Sequence, residues 1–134
     1  MAYNIVPNVT TLLASTVGST AANGEWHKVD PNIVRRDLAF QAILIASSVG
    51  ATASSSVGIE VSNDGATPLS TAPALSFALT NTSTTYISAG GCLPSSFAGA
   101  FAYVRATLIG LTTSTAGSTG SPGVTVYCGA QAYP

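Results

Sequence analysis

Charge is what this chain has least of. Only 7% of its 134 residues are charged, against roughly 25% in ordinary soluble domains. Four are Lys or Arg and five are Asp or Glu, for a net charge of −1. Such a count argues against nucleic acid as a partner, because phosphate neutralisation takes clustered cations. It argues equally against anionic membrane surfaces. Titratable chemistry is as sparse, with one His and two Cys. Zinc takes several His or Cys ligands, so no metal and no cofactor is expected. There is no P-loop, no G-x-G-x-x-G and no G-x-S-x-G elbow. Long apolar runs are missing too: "LAFQAILIA" (38–46) and "FAGAFAYVRATLIGL" (97–111) are too short to span a bilayer, and Arg105 interrupts the second. The first basic residue is Lys28, so a charged signal-peptide head is absent. Synthesis and folding in a cytoplasm are expected, with Cys92 and Cys128 as reduced thiols and Cys128 in the core.

Ser and Thr take the place of charge and make up about a quarter of the residues. The apolar fraction is nonetheless 46%, which separates the chain from disordered sequences of low hydrophobicity and high net charge. Its length suits one domain, 1–134. A protein so near neutrality has little self-repulsion, which points to life in an assembly.

Period-two alternation dominates, interrupted by Gly, Asn, Pro and Ser. Strands are predicted at 9–17, 25–30 (entered through an Asn23-Gly24 turn), 36–47, 56–63, 74–80, 84–89, 100–110 and 123–129. Val57, Ile59 and Val61 share one face, as do Leu75, Phe77 and Leu79, and Val124, Val126 and Cys128. In the seventh segment Val104, Ala106 and Leu108 share one face, and Phe101, Tyr103, Arg105 and Thr107 the other. Residues 47–56 and 111–122 are Ser/Thr/Gly-rich and are predicted to be exposed loops. No convincing helix is present. The fold class is all-β: a single antiparallel β-sandwich, jelly-roll-like, of about eight strands. Residues 1–10 form an extended N-terminal arm.

Few residues carry candidate chemistry. His27 lacks a local catalytic partner, and a surface or satisfied histidine is the simpler reading. In "SNDG", Asp64 could help hold a cation, but Asn and Asp also cap turns with their side chains, and Gly65 suits a positive φ. The turn is the stronger reading. Arg105, alone in mid-strand, needs a partner, and Glu60 or a neighbouring aromatic face is expected to supply it. The remaining candidates are surfaces. Tyr3, Ile5 and Val6 on the arm and Tyr133 in the tail are expected to pack on a neighbour, either a second copy of the chain or a larger assembly that carries it, and Arg35 and Arg36 form the one basic pair.

The order of "NGEWHKV", a long apolar strand, "IEVSNDG", "YVRATLIGL", a Gly/Ser loop and "VTVYCG" resembles small virion proteins of tailed bacteriophages. The resemblance covers roughly residues 17–130. It implies a capsid decoration or cement protein, made in the host cytoplasm and placed on the capsid exterior. Its partners would be the major capsid protein and further copies of itself, a homotrimer being favoured and a dimer possible. "SNDG" with "YVRA" is also similar to discoidin-like sandwich modules, although Pro68-Leu69 stands where that pattern has an aromatic. That second resemblance implies a glycan-binding or adhesion module using Trp26, Tyr86 or Tyr103. A hydrolase is the least supported class, and the coat of a small RNA virus would carry a basic arm. The expected protein is not an enzyme.

Overall fold

The computed structural model describes residues 4–5, 10–17, 22–31, 38–45, 52–81, 86–94, 101–114 and 123–130. All regular structure among them is strand: β1 (Asn4–Ile5), β2 (Thr10–Val17), β3 (Ala22–Asn23), β4 (His27–Val29), β5 (Leu38–Ile45), β6 (Thr52–Ser62), β7 (Leu75–Asn81), β8 (Tyr86–Cys92), β9 (Tyr103–Ser114) and β10 (Gly123–Ala130). Leaving aside the two-residue β1 and β3, eight strands form two antiparallel sheets of four. One runs β4-β9-β6-β7 and the other β2-β10-β5-β8.

This order is that of a jelly roll. Count the eight strands in sequence: first pairs with eighth, second with seventh, third with sixth and fourth with fifth. That is one long hairpin rolled up so that its paired arms alternate between two sheets. The sandwich buries one face of each sheet. Val29, Val57, Ile59, Val61, Phe77, Leu79, Val104, Ala106 and Leu108 come from one. Leu38, Phe40, Ala42, Leu44, Val124, Val126 and Cys128 come from the other. The faces read from alternation at 57–61, 104–108 and 124–128 are core faces, as are Phe77 and Leu79, while Leu75 is partly buried and packs against the core. Asn81 adds a polar tie between the layers, its Nδ2 donating to the Leu44 carbonyl at 3.0 Å.

Alternation fails where the ladders carry an extra residue. Along β2 the register slips beside Val126, leaving Leu12 between the paired residues Thr11 and Leu13. Leu12 and Leu13 are consequently both buried. Between β6 and β9 the register shifts at Ser56/Val57 and leaves Ile109 over, 49% exposed. Phe101, grouped by parity with Tyr103, Arg105 and Thr107, parts from them: it precedes β9 and is buried in the core.

Several predicted boundaries move. Residues 52–56, predicted to be loop, are strand, since Ser and Thr there gain ladder partners on β9 and, from Ala53 on, also on β7. Likewise 111–114 continue β9, while 47–51 and 115–122 lie outside the described residues. The fifth and sixth strands also run on, β8 continuing through Gly90-Gly91 to Cys92. Asn23-Gly24 is no turn. Asn23 pairs with Thr107 and the Gly24 N–H donates to the Ala106 carbonyl at 2.8 Å, so β3 and β4 are two pieces of one strand along β9. Glycine is required there by proximity: a Cβ on Gly24 would stand 2.5 Å from the Leu12 carbonyl oxygen of the opposite sheet.

Both cysteines are free thiols. Cys128 is sealed in the core, and burial pushes its thiol up to about 12. Cys92 is exposed on β8. A thiol-reactive dye at neutral pH should therefore label one cysteine per folded chain, at Cys92, and two in denaturant. Rapid labelling of Cys128 in the native protein would contradict the burial, because the thiolate is the reactive form.

Candidate functional site

The chemistry gathers on the outer face of the β4-β9-β6 half of the first sheet. The ladder sets Arg105 directly opposite Glu60. Arg105 Nε and Nη2 both donate to Glu60 Oε1 at 2.9 Å. On its other side the guanidinium lies over the Trp26 ring, 4.4 Å from the centroid. Trp26 reaches this position because the β3–β4 strand holds one more residue than the β9 stretch it faces. Asn23 pairs with Thr107 and His27 with Val104, and the resulting bulge carries residues 24–26. The sequence had offered Glu60 or an aromatic as the partner of Arg105, and both are present.

The "SNDG" corner stands beside this stack and is bonded within itself. Ser62 Oγ donates to Asp64 Oδ1 at 2.8 Å and accepts from the N–H groups of Asp64 and Gly65. Asp64 Oδ1 accepts from the N–H groups of Ala66 and Thr67 at 2.8 and 2.7 Å. The Thr67 and Ala66 N–H groups, with the Ser62 hydroxyl, hold the Asp64 carboxyl down to about 2. Gly65 has φ of 71°, the one positive φ among the described residues. Its Cα faces the Tyr103 ring, which a Cβ would meet at 3.1 Å. Beyond the corner, Pro68 bridges back to Ser62 and the Leu69 N–H donates to the Val61 carbonyl. The segment thus continues the sheet edge and leaves a shallow groove of about 440 Å³ lined by Glu60, Thr67, Pro68, Leu69, Ser70 and Thr71.

His27 points inward and is buried. Burial lowers its pKa, opposed by the Glu25 carboxylate, so the imidazole is neutral at pH 7. It borders a second groove, of about 370 Å³, with Thr11, Leu12, Leu13, Asn23, Gly24 and Glu25. Among the described residues no group of three His, Cys, Asp or Glu stands close enough to hold a metal ion.

The aromatics do not form a common groove among the described residues. Trp26 lies under Arg105, Tyr103 is half-buried against Gly65, and Tyr86 stands 69% exposed on the other sheet. Of the expected interface residues, Ile5 lies on β1, whose backbone pairs in parallel with β4 of its own chain. Tyr3, Val6, Arg35, Arg36 and Tyr133 lie outside the described residues. What sequence reasoning missed is a division of the surface. Glu25, Lys28, Asp30, Glu60, Asp64 and Arg105 all belong to the first sheet and its connections, and no residue of β2, β5, β8 or β10 is charged. The signal was in the sequence, but it needed the strand pairing to become a face.

These features define the chain as an eight-stranded jelly-roll sandwich whose described polar clusters bond to one another and to backbone. Comparison with protein-family models, curated proteins and solved structures finds no match.

Two sets of variants check this reading of the corner and the stack. Gly65→Val should destabilise by about 1–3 kcal/mol, from the strained φ and the Tyr103 contact. Asp64→Asn should fold normally but lose acid sensitivity. Because the folded pKa lies below the unfolded 3.8, the Asp64 contribution is present above that pH and is lost as pH falls toward about 2. Chemical denaturation at several pH values measures both. For the stack, Arg105→Met leaves Glu60 without its cation and should cost about 1–3 kcal/mol. A double-mutant cycle with Glu60→Gln should give a coupling of about 1 kcal/mol or more, and zero coupling would show the pair to be energetically idle.

Proposed function

We propose that this chain is a structural virion protein, which binds the outside of a tailed-phage capsid and cements neighbouring capsid subunits as a homo-oligomer. The observation that carries the reading is the division of the jelly roll into a charged sheet and a wholly uncharged one. A free domain gains solubility from charge on all sides, whereas a sheet face without charge suits continuous contact with protein. Jelly rolls recur in viral shells and in lectins, and the fold alone does not choose between them. The polar clusters favour the shell: Asp64, Ser62, Glu60 and Arg105 are engaged with one another and with backbone. Ser and Thr surfaces also lose less rotamer entropy on contact than Lys or Glu surfaces do. Many copies on one particle raise weak contacts to high avidity.

The glycan-binding alternative draws less support, since the aromatics it would use lie on two different sheets and one is covered by Arg105. The test is co-sedimentation of the purified chain with empty shells of the tailed phage whose major capsid gene lies beside its own. Saturable, stoichiometric binding that raises the shell's disruption temperature is expected. Absence of binding, or binding only to a glycan array, overturns the proposal.

A further inference from the structure

The uncharged sheet carries more than a general preference for contact. Its outward side chains follow from the ladder. Ala42, Leu44, Val124, Val126 and Cys128 point into the core, so their neighbours Ala39, Gln41, Ile43, Thr125 and Tyr127 point out. On β8, Tyr86 pairs with Ile45, Ser88 with Ile43 and Gly90 with Gln41, so Tyr86, Ser88 and Gly90 share that outer face. Ser88, Ile43 and Thr125 form a row across its middle. The face is not flat. At one end, where the outward row is Gly129, Ala39 and Cys92, lies an open dent of about 360 Å³ over β5 and β10, bounded by Gln41 and Tyr127. At the other end of the same face Tyr86 projects, 69% exposed.

We infer that this face is the contact between two copies of the chain, packed sheet on sheet about a two-fold axis, with Tyr86 of each copy seated toward the dent of the other. Three features select a second copy as occupant. First, the face has a knob at one end and a hole at the other. Tyr86 lies on the edge strand β8 and the dent over β5 and β10, so a two-fold axis lying in the interface and running obliquely across the strands exchanges knob and hole, which is the self-complementarity an isologous contact requires. Second, the electrostatics match. Pressing this face on the outer side of the first sheet would desolvate Lys28 against groups that offer it no counter-charge, whereas the same face on a second copy buries no charge among the described residues. Third, the size suffices. Four strands about 4.8 Å apart and about eight residues long present roughly 500 Å² per copy, and the pair reaches the roughly 1,000 Å² at which specific interfaces begin. The contact is therefore reversible and concentration-dependent. An isologous contact closes at two copies, whereas the trimer implied by the phage resemblance would need two different patches on each chain. The inference stands on the surface itself and does not depend on the virion reading.

Sedimentation equilibrium of the purified full chain over a wide concentration range tests it. Twice the chain mass is expected at high concentration, falling to one chain mass on dilution. Ser88→Lys with Thr125→Lys places like charges on both copies in the middle of the contact, and should raise the dissociation constant at least tenfold while circular dichroism and melting stay native. Tyr86→Ala should weaken the pair less. Thr80→Lys, on the outer face of the other sheet, should leave it unchanged. A monomer at every concentration, a trimer, or a dimer indifferent to the paired lysines but broken by Thr80→Lys would each overturn the inference. Should the lysine pair unfold the chain, Gln41→Glu with Ser88→Glu puts the same question with the opposite charge, and a folded, undiminished dimer of that variant would overturn it as well.

Discussion

The ladder between β6 and β9 sets the register for everything else. Along one face of it Ile59 meets Ala106 and Val61 meets Val104, and these rows are core. Along the other Glu60 meets Arg105 and Ser62 meets Tyr103, and these rows are the ion pair and the corner. A slip by one residue would turn the apolar rows to solvent and drive a guanidinium into the sandwich. The ion pair thus acts less as a source of stability than as a penalty on misalignment. Its placement beside the Ser62–Gly65 corner locks the loop to the same register, because Gly65 fits only against the ring of Tyr103.

The two sheets divide the labour of the surface. The first holds the described charges, and each cluster there has a local explanation in hydrogen bonds or pairing. The second holds none and leaves Tyr86, Ile87 and a dent uncovered in a single chain. Hydrophobic burial builds the interior of both sheets alike. The difference lies only in the outer positions of the described strands: charged and hydrogen-bonded on one sheet, uncharged on the other.

Alternation made the sandwich legible, since a period of two with inward Val, Leu and Ile admits little else. The turn at Asp64 and Gly65 was equally readable, because only a few residue types satisfy its hydrogen bonds and its positive φ. Bulges were not. Leu12, Ile109 and Trp26 each owe their position to one surplus residue opposite a partner strand far away in sequence. Local composition also misled at 52–56, where Ser and Thr look like loop until a strand stands on either side. The grouping of Phe101 with Tyr103 and Arg105 failed for a related reason: parity was extended past the end of the strand that defines it. The candidate surface lay in four segments that share no motif, and their common lack of charge became a property only when pairing placed them together.

The rolled-hairpin topology has a consequence for how the chain comes into being. β10 is the last of these strands in sequence, yet it lies inside its sheet, between β2 and β5. Until it has left the ribosome, β2 has no neighbour in that sheet and β5 has one open edge. Most of the pairing is non-local, which is slow to form and leaves strand edges exposed meanwhile. The keystone of the second sheet is thus delivered after the arch it closes, and the uncharged sheet is the later of the two to become a surface at all.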